Sequence, residues 1–293
     1  MPHVNVDGVN LYYEDTGSGM PIVFVHEYAG DYRSWENQVR YFSRRYRCIT
    51  FNARGYPPSD VPEAQEAYSQ DIILHDIRSL LGNLEIEAAH FVGLSMGSYT
   101  TLVFGLRYPE HVTSMVVAGT GYGAMPGNRD QFLSEIVDLS ASFEAGGGPE
   151  KSKILSSKNS RNTLKQKSPR SWREFADQMK EHSGLGSALT FRGVQTSRPM
   201  FTDIERELKE STVPLLLMVG DEDPASMDGT LYIKNTAPSA GLLMLPKTGH
   251  TINLEEPDFF NHAVESFIND VAAGKWRLRD PRALAQQSTA AAG

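Results

Sequence analysis

Two features of the sequence predict an α/β fold: a doubly wound, mostly parallel sheet of eight strands. Short, continuous apolar runs such as Pro21 to Val25 are typical of parallel strands that are covered on both faces. Helical patterns separate these runs, and such alternation favours a parallel sheet with helices on both sides. The alternation stops from about Gly119 to Ser211 and then resumes. We therefore expect a mostly helical insertion after the sixth strand.

The individual elements follow from local patterns. The predicted strands are Val4–Val6, Leu11–Glu14, Pro21–Val25, Cys48–Phe51, the run that ends at Val92, Val112–Ala118, Val213–Val219 and Leu242–Leu245. Asp31 and Ser69 are predicted to cap the helices that follow them, because short polar side chains accept hydrogen bonds from a helix's first N–H groups. Further helices are expected over Phe132–Phe143, Ser171–His182, Ile204–Lys209 and Pro257–Ala272.

These elements divide the chain into two parts and a tail. We expect a core formed by residues 1–120 and 212–285 and a mostly helical part formed by residues 121–211. Residues 286–293 are rich in Ala, Gln and Ser, and we expect them to be frayed.

Composition favours a soluble protein of the cytoplasm. The 293 residues are 40% hydrophobic and 22% charged, and the net charge of -8 argues against a nucleic-acid-binding surface. Cys48 is the only cysteine, lies in a predicted buried strand, and fits a reducing compartment. Met1 to Thr16 has no signal-peptide pattern. No apolar run approaches the ~18 residues that would span a membrane, and the oligomeric state is not predicted.

The stretch Gly93-Leu94-Ser95-Met96-Gly97 joins a predicted strand to a predicted helix. Gly-x-Ser-x-Gly in this context indicates a nucleophile elbow, a sharp turn that exposes the serine hydroxyl. The two glycines are required because strand and helix come too close for a Cβ atom. The N–H of Met96 would be free at the positive end of the helix, where it could stabilise a developing negative charge.

A serine needs a base, and that base needs an orienting group. The seventh strand is followed by Gly220-Asp221-Glu222-Asp223, and the eighth by Gly249-His250. Both groups would therefore lie at the carboxyl edge of the sheet, where ligands bind in open α/β folds. The order serine, acid, histidine is that of one large group of serine hydrolases. Asp221 and Glu222 remain alternatives to Asp223 as the acid.

With these residues the chain resembles the α/β-hydrolase superfamily over nearly its whole length. The resemblance rests on His26 to Gly30, Asn52 to Gly55, Gly93 to Gly97, Gly220 to Asp223 and Gly249-His250. It implies that Ser95 is the nucleophile, Asp223 the acid and His250 the base. It also implies that the backbone N–H groups of Met96 and Tyr28 form the oxyanion hole and that residues 121–211 form a cap over the site.

The function this implies is hydrolysis of a small ester or lactone through an acyl-enzyme, with no metal or organic cofactor required. A serine at the elbow argues against the family's epoxide hydrolases and haloalkane dehalogenases, which place Asp there. Alternatives that remain are hydrolysis of carbon–carbon bonds in vinylogous diketones, related activities such as amide cleavage, and a ligand receptor on the same fold.

Glu27 departs from the family pattern, which usually has Gly after the oxyanion-loop histidine. Its carboxylate could turn away and pair with Arg54 or Arg33, or it could face the pocket and disfavour anionic substrates. We favour the first arrangement, because a carboxylate near the oxyanion hole would oppose the transition state.

Two further groups of residues lie in the insertion. We expect the basic residues to form a solvated face; they are Lys151, Lys153, Lys158, Arg161, Lys165, Lys167 and Arg170. We expect the aromatic and Met residues to pack mainly in the core of the insertion, with a few facing the cleft; they are Phe132, Trp172, Phe175, Met179, Phe191, Met200 and Phe201.

Overall fold

The structure, a computed structural model, describes residues 2–280 and residue 282. The described residues form one eight-stranded sheet. Its strands are β1 (His3–Val6), β2 (Val9–Gly17), β3 (Pro21–Val25), β4 (Arg47–Phe51), β5 (Ala89–Leu94), β6 (Val112–Ala118), β7 (Leu215–Gly220) and β8 (Ala240–Leu245).

The sheet has the strand order β1-β2-β4-β3-β5-β6-β7-β8. β2 pairs in an antiparallel sense with both β1 and β4, and every pair from β4 to β8 is parallel. The prediction of a doubly wound, mostly parallel eight-stranded sheet is therefore confirmed. The parallel pairing brings the carboxyl ends of β3 to β8 to one edge.

Eleven α-helices occur among the described residues. They are α1 (Glu36–Phe42), α2 (Gln70–Asn83), α3 (Met96–Arg107), α4 (Pro126–Ser156), α5 (Asn162–Lys167), α6 (Pro169–Met179), α7 (Gly184–Thr190), α8 (Glu205–Glu210), α9 (Pro224–Thr236), α10 (Ile252–Glu255) and α11 (Pro257–Ala272). The predicted caps are present, because Asp31 accepts from the N–H of Arg33 and Ser69 from that of Ile72.

One helix is longer than its sequence pattern indicates. α4 continues past the predicted end at Phe143 and is kinked at Gly147, which has φ 65°. A residue without a side chain adopts this conformation at little cost. The segment α4 therefore consists of two helices that meet at a break at Gly147, and the first helix continues a few residues past its predicted end.

Two apolar layers cover the two faces of the sheet. On β3, Ile22 and Phe24 pack in one layer, with residues of α1 and α11 such as Phe42 and Phe260. Val23 of the same strand packs in the other layer, which includes residues of α2 and α3. This alternation follows from the two-residue period of a strand. Cys48 is buried in the first layer, as expected for a packing residue.

The segment 121–211, which we call the helical insertion, contains α4 to α8. A third apolar cluster joins it to loops at the carboxyl edge of the sheet, with Tyr28 and Tyr56 on one side and Phe143, Phe175 and Phe191 on the other. The division into units 1–120 with 212–285 and 121–211 stays a prediction. The predicted tail, 286–293, lies outside the described residues. Within the described part of the chain, no helix combines the length and apolarity needed to cross a membrane.

Candidate active site

Ser95 lies between β5 and α3 in a conformation that few residues other than glycine adopt. Its φ is 54° and its ψ is -115°. Its backbone N–H donates to the carbonyl of Ala118 at the end of β6, with an N···O distance of 2.8 Å. A non-glycine residue with positive φ is strained, and such residues cluster at functional sites. The turn leaves the side chain of Ser95 partly exposed.

The two glycines of the turn allow strand and helix to approach closely. A Cβ on Gly93 would lie 2.3 Å from the carbonyl oxygen of Gly97, and a Cβ on Gly97 would lie 2.1 Å from that of Val25. Real side chains do not tolerate such distances, so Gly is required at both positions. The close contact predicted from the sequence is present.

His250 and Asp223 form a hydrogen-bonded pair beside this turn. The Nδ1 atom of His250 lies 2.7 Å from Oδ2 of Asp223, which is almost fully buried. The other two candidate acids make different contacts: Asp221 accepts from the N–H of Thr248, and Glu222 pairs with Lys247. Of these three acids, Asp223 is the one that contacts the imidazole.

The pair shifts the pKa values of both its members. Burial lowers the pKa of His250, but the Asp223 carboxylate more than offsets this effect and the net pKa lies above the ordinary value. Burial likewise raises the pKa of Asp223, and the His250 ring outweighs it and lowers that pKa. An imidazole held in this way donates its Nδ1–H to the carboxylate and keeps Nε2 free to accept a proton.

Two backbone N–H groups are available near Ser95. Met96 is the first residue of α3, so its N–H has no partner within the helix. The N–H of Tyr28 makes no hydrogen bond within the described residues. The loop that carries Tyr28 is held by His26, whose Nδ1 lies 2.8 Å from the carbonyl oxygen of Glu27 and whose Nε2 accepts from the N–H of Ala53. His26 therefore holds the backbone of this loop in place.

A cavity of about 870 Å³ opens above the turn. Ser95, Asp223, His250, Tyr28 and Glu27 all line it. The structure records no hydrogen bond between the two described side chains of Ser95 and His250, although such contacts are often long in ligand-free enzymes. A hydroxyl, an oriented imidazole and free N–H groups around one cavity are the parts that acyl transfer requires.

The prediction that Glu27 pairs with Arg54 or Arg33 is wrong. Its carboxylate lies 2.6 Å from Nη2 of Arg161 in the helical insertion, and both side chains are almost fully buried. Arg54 instead pairs with Asp76, and Arg33 with Asp31. The turn of the helical insertion that carries Arg161 lies over the sheet edge. Arg161 is therefore the cation nearest to Glu27, in place of Arg33 or Arg54. Glu27 thus lines the cavity, but with its charge paired.

The basic residues of the insertion do not all form a solvated face. Lys151 is fully buried and Arg161 almost so, whereas Lys153, Lys165, Lys167 and Arg170 are exposed and Lys158 is half-buried. Nζ of Lys151 lies 2.8 Å from the carbonyl oxygen of Tyr28 and 3.0 Å from Oγ of Ser187. Burial holds the pKa of this amine well below its usual value. For these two residues the prediction is wrong, because each reaches a polar partner on the core.

Sequence reasoning also missed Arg198, which lines the cavity and is 6% exposed. No motif or periodicity marks this residue, which lies between Ser197 and Pro199. The aromatic residues of the insertion are mostly buried in its core, as expected, and Phe132 and Phe191 line the cavity. The ring of Phe191 stacks on that of Tyr28 with centroids 3.8 Å apart.

Comparison with known proteins agrees with this fold. The sequence model of the family described as "alpha/beta hydrolase fold" matches residues 20–257. The chain therefore belongs to the α/β-hydrolase family.

Individual relatives are distant and differ in their activities. The chain is 25% identical to 3-oxoadipate enol-lactonase 2 of Acinetobacter baylyi over 260 residues, which are 84% of this chain and 88% of that protein. It is 24% identical to epoxide hydrolase 3 of Mus musculus over 287 residues, 92% of this chain and 77% of that protein. The solved structure of a thermophilic esterase from Thermogutta terrifontis superposes with a TM-score of 0.82 at 21% identity, covering 92% of this chain and 99% of that one. This last likeness shows the fold.

Proposed function

We propose that the protein is a serine hydrolase that cleaves a small-molecule carboxylic ester or lactone through an acyl-enzyme. What supports the proposal is the placement of three groups around one cavity: Ser95 at a strained turn, and His250 hydrogen-bonded to buried Asp223. Serine rather than Asp at the elbow favours an ester or lactone over an epoxide. The enol-lactonase and the esterase among its relatives are consistent with this choice.

In the proposed reaction, Nε2 of His250 accepts the proton of Ser95 as Oγ bonds to the carbonyl carbon. Asp223 fixes the Nδ1–H tautomer and stabilises the imidazolium that forms. The N–H groups of Met96 and Tyr28 donate to the oxyanion of the tetrahedral intermediate. The carbon–oxygen bond to the alcohol then breaks, and His250 gives its proton to the departing oxygen. Water repeats the sequence on the acyl-enzyme and releases the acid.

The segment 121–211 acts in this proposal as a cap that closes the cavity and selects the substrate. It contributes lining residues such as Phe132, Phe191 and Arg198. The carbonyl oxygen of Ser160 in this segment also accepts the backbone N–H of His250 at 3.0 Å. The cap therefore touches the loop that carries the base.

Labelling with a fluorophosphonate tests the nucleophile directly. We expect peptide mass mapping to find the adduct on Ser95 and no labelling of Ser95→Ala. Ser98→Ala is the matched control, since this buried serine lies one helical turn away and its Oγ donates to the carbonyl oxygen of Ser95. Labelling that persists in Ser95→Ala would refute the assignment.

Turnover separates the classes of reaction. We expect hydrolysis of 4-nitrophenyl acetate and butyrate. Cleavage of a ring-fission dienoate without ester hydrolysis would point to carbon–carbon bond hydrolysis. A thermal shift with ligands but no product from any of these compounds would point to a receptor.

A further inference from the structure

Most charged side chains around the cavity are paired with an opposite charge. Among the described residues, four carboxylates line it: Glu27, Glu135, Asp223 and Asp228. Glu27 pairs with Arg161, Glu135 lies 3.5 Å from Lys158, and Asp223 is bonded to His250. Asp228 is exposed and can be hydrated. Three of the four carboxylates at the cavity thus have a cationic partner, and the fourth is exposed to solvent.

Arg198 is the exception among the three Lys and Arg side chains in the described lining. No carboxylate of the described residues lies within ion-pair distance of its guanidinium. Its Nη2 donates to the carbonyl of Tyr122, and its Nε is buried without a hydrogen-bond partner. The neighbouring Arg129 also donates only to backbone carbonyls, those of Gly123, Thr196 and Arg198.

Aromatic rings hold the guanidinium but do not neutralise it. Its central carbon lies 4.9 Å from the ring centroid of Tyr99 and 5.2 Å from that of Phe132. Burial lowers the pKa of Arg198 to about 10, so the group is still a cation at neutral pH. A buried charge without a counter-ion is unfavourable. An anion that entered the cavity and paired with Arg198 would offset this cost.

We propose that Arg198 binds a carboxylate of the substrate, so that the ester or lactone cleaved at Ser95 carries a second, anionic end. The planar guanidinium fork matches a carboxylate, to which it can donate in a bidentate manner. Arg198 is the one unpaired guanidinium in the described cavity lining, and a single positive charge favours a carboxylate over a phosphate monoester. This inference rests on the proposed function, because it assigns the substrate class of the same site.

The test compares esters that differ in one charge. One series consists of 4-nitrophenyl monoesters of linear dicarboxylic acids, from succinic to suberic acid, each with its neutral methyl-capped counterpart. A second pair places the charge on the alcohol side: 4-carboxyphenyl butyrate and its methyl ester. We expect kcat/KM to favour the charged member of at least one series by about ten- to a hundredfold, the range of a hydrogen bond to a charged group.

Variants at position 198 connect that preference to the guanidinium. In Arg198→Met the preference is lost, chiefly through KM, because kcat/KM falls more for each charged ester than for its neutral counterpart. Arg198→Lys recovers part of the preference, because the charge remains but the fork does not. Arg192→Met is the matched control: this arginine is exposed, pairs with Glu144 and does not line the cavity. It keeps the full preference.

The outcomes separate this inference from the proposed function. Hydrolysis of neutral esters with no preference for charge in either series overturns the role of Arg198 and leaves the proposed function intact. If no ester is hydrolysed, the proposed function fails. The role of Arg198 then depends on glutarate, which should raise the melting temperature of the wild type but not of Arg198→Met. If Arg198→Met does not fold, the role of Arg198 is judged from two results: the preference of the wild type for charged esters, and the reduction of that preference in Arg198→Lys.

Discussion

The sheet edge and the helical insertion both supply polar groups to the cavity, but they hold them differently. Ser95, Asp223 and His250 follow directly on strands or their loops, so the backbone fixes them through short contacts such as that of Ser95 with Ala118. The insertion supplies Arg161, which reaches Glu27 through a long side chain. The groups at the sheet edge therefore depend on close backbone contacts. The contact made by the insertion depends instead on the pairing of two buried charges.

This difference separates two kinds of sensitivity. A group placed by the backbone tolerates distant changes but not an added atom at a close approach. A buried charge tolerates small shifts but not the loss of its partner, because the remaining charge then lies unpaired in a poorly solvated site. The following variants test the contrast, in order of expected effect.

The largest effect is expected at the orienting carboxylate on the sheet edge. Asp223→Asn should lower kcat by about 10⁴-fold, because the imidazole loses the group that selects its tautomer. Asp221→Asn is the control, since this exposed acid lies two residues earlier; we expect less than about a threefold change. Comparable losses in both variants would contradict the assignment of Asp223.

The same pair determines the pH profile. In the proposed reaction His250 must be neutral to act as the base, so we expect kcat/KM to fall as the pH drops through its pKa. The net effect of Asp223 raises that pKa above the ordinary value, and the acidic limb should therefore have an apparent pKa above about 6.5. In Asp223→Asn the limb should move to lower pH, because burial without the carboxylate lowers the pKa. A limb that does not move would show that another group controls it.

The second largest effect is expected where the insertion meets the core. Arg161→Met leaves the Glu27 carboxylate buried and unpaired, and we expect it to lower the free energy of unfolding by about 3–5 kcal/mol in urea denaturation. Arg170→Met is the control: its pair with Glu174 is exposed to solvent, so we expect little change in stability.

Loss of the Glu27–Arg161 ion pair should affect kcat less than it affects the free energy of unfolding. We expect Glu27→Gln to lose less than about tenfold in kcat, roughly 1.4 kcal/mol. The double variant with Arg161→Met should be more stable than Arg161→Met alone, because it removes both charges. A kcat loss in Glu27→Gln as large as that of Ser95→Ala would make Glu27 part of the chemistry.

A smaller loss of stability is expected when an atom is added at the close backbone contact between α3 and the end of β3. Gly97→Ala places a Cβ 2.1 Å from the carbonyl oxygen of Val25, and overpacking of this kind costs about 1–3 kcal/mol. Gly127→Ala in the first turn of α4 has open space around it and should stabilise by about 0.4–1 kcal/mol. Thermal unfolding of both variants measures the contrast, and equal shifts would contradict it.

The smallest effect concerns the pH dependence of stability. Burial depresses the pKa of Lys151 in the folded protein, so between that pKa and about 10.4 the unfolded chain binds more protons than the folded one. Stability from this group therefore rises with pH across that window. The melting-temperature difference between wild type and Lys151→Met should shift in favour of wild type from about pH 7 to about pH 9.5. A difference independent of pH would mean that the amine titrates normally.

Much of the candidate site could be predicted because its signals are local. Gly-x-Ser-x-Gly between strand and helix predicts the turn at Ser95. The acid and the imidazole follow strands that parallel pairing brings to the same edge. The choice of Asp223 over Asp221 and Glu222 could not be derived from the residues alone. That choice depends on which of three neighbouring side chains faces the imidazole, and the fold gives Asp223 that contact.

The sequence alone determined the α/β sheet and the order of serine, acid and histidine along its edge, because both follow from short-range patterns and from the geometry of parallel strands. The tertiary structure decided which cations are buried. Glu27 and Arg161 are 134 residues apart, and nothing in their local sequence says that they meet. A lysine or arginine carries the same local signal whether it is hydrated or buried. Only the long-range packing of the insertion against the core distinguishes Lys151, Arg161 and Arg198 from their exposed neighbours.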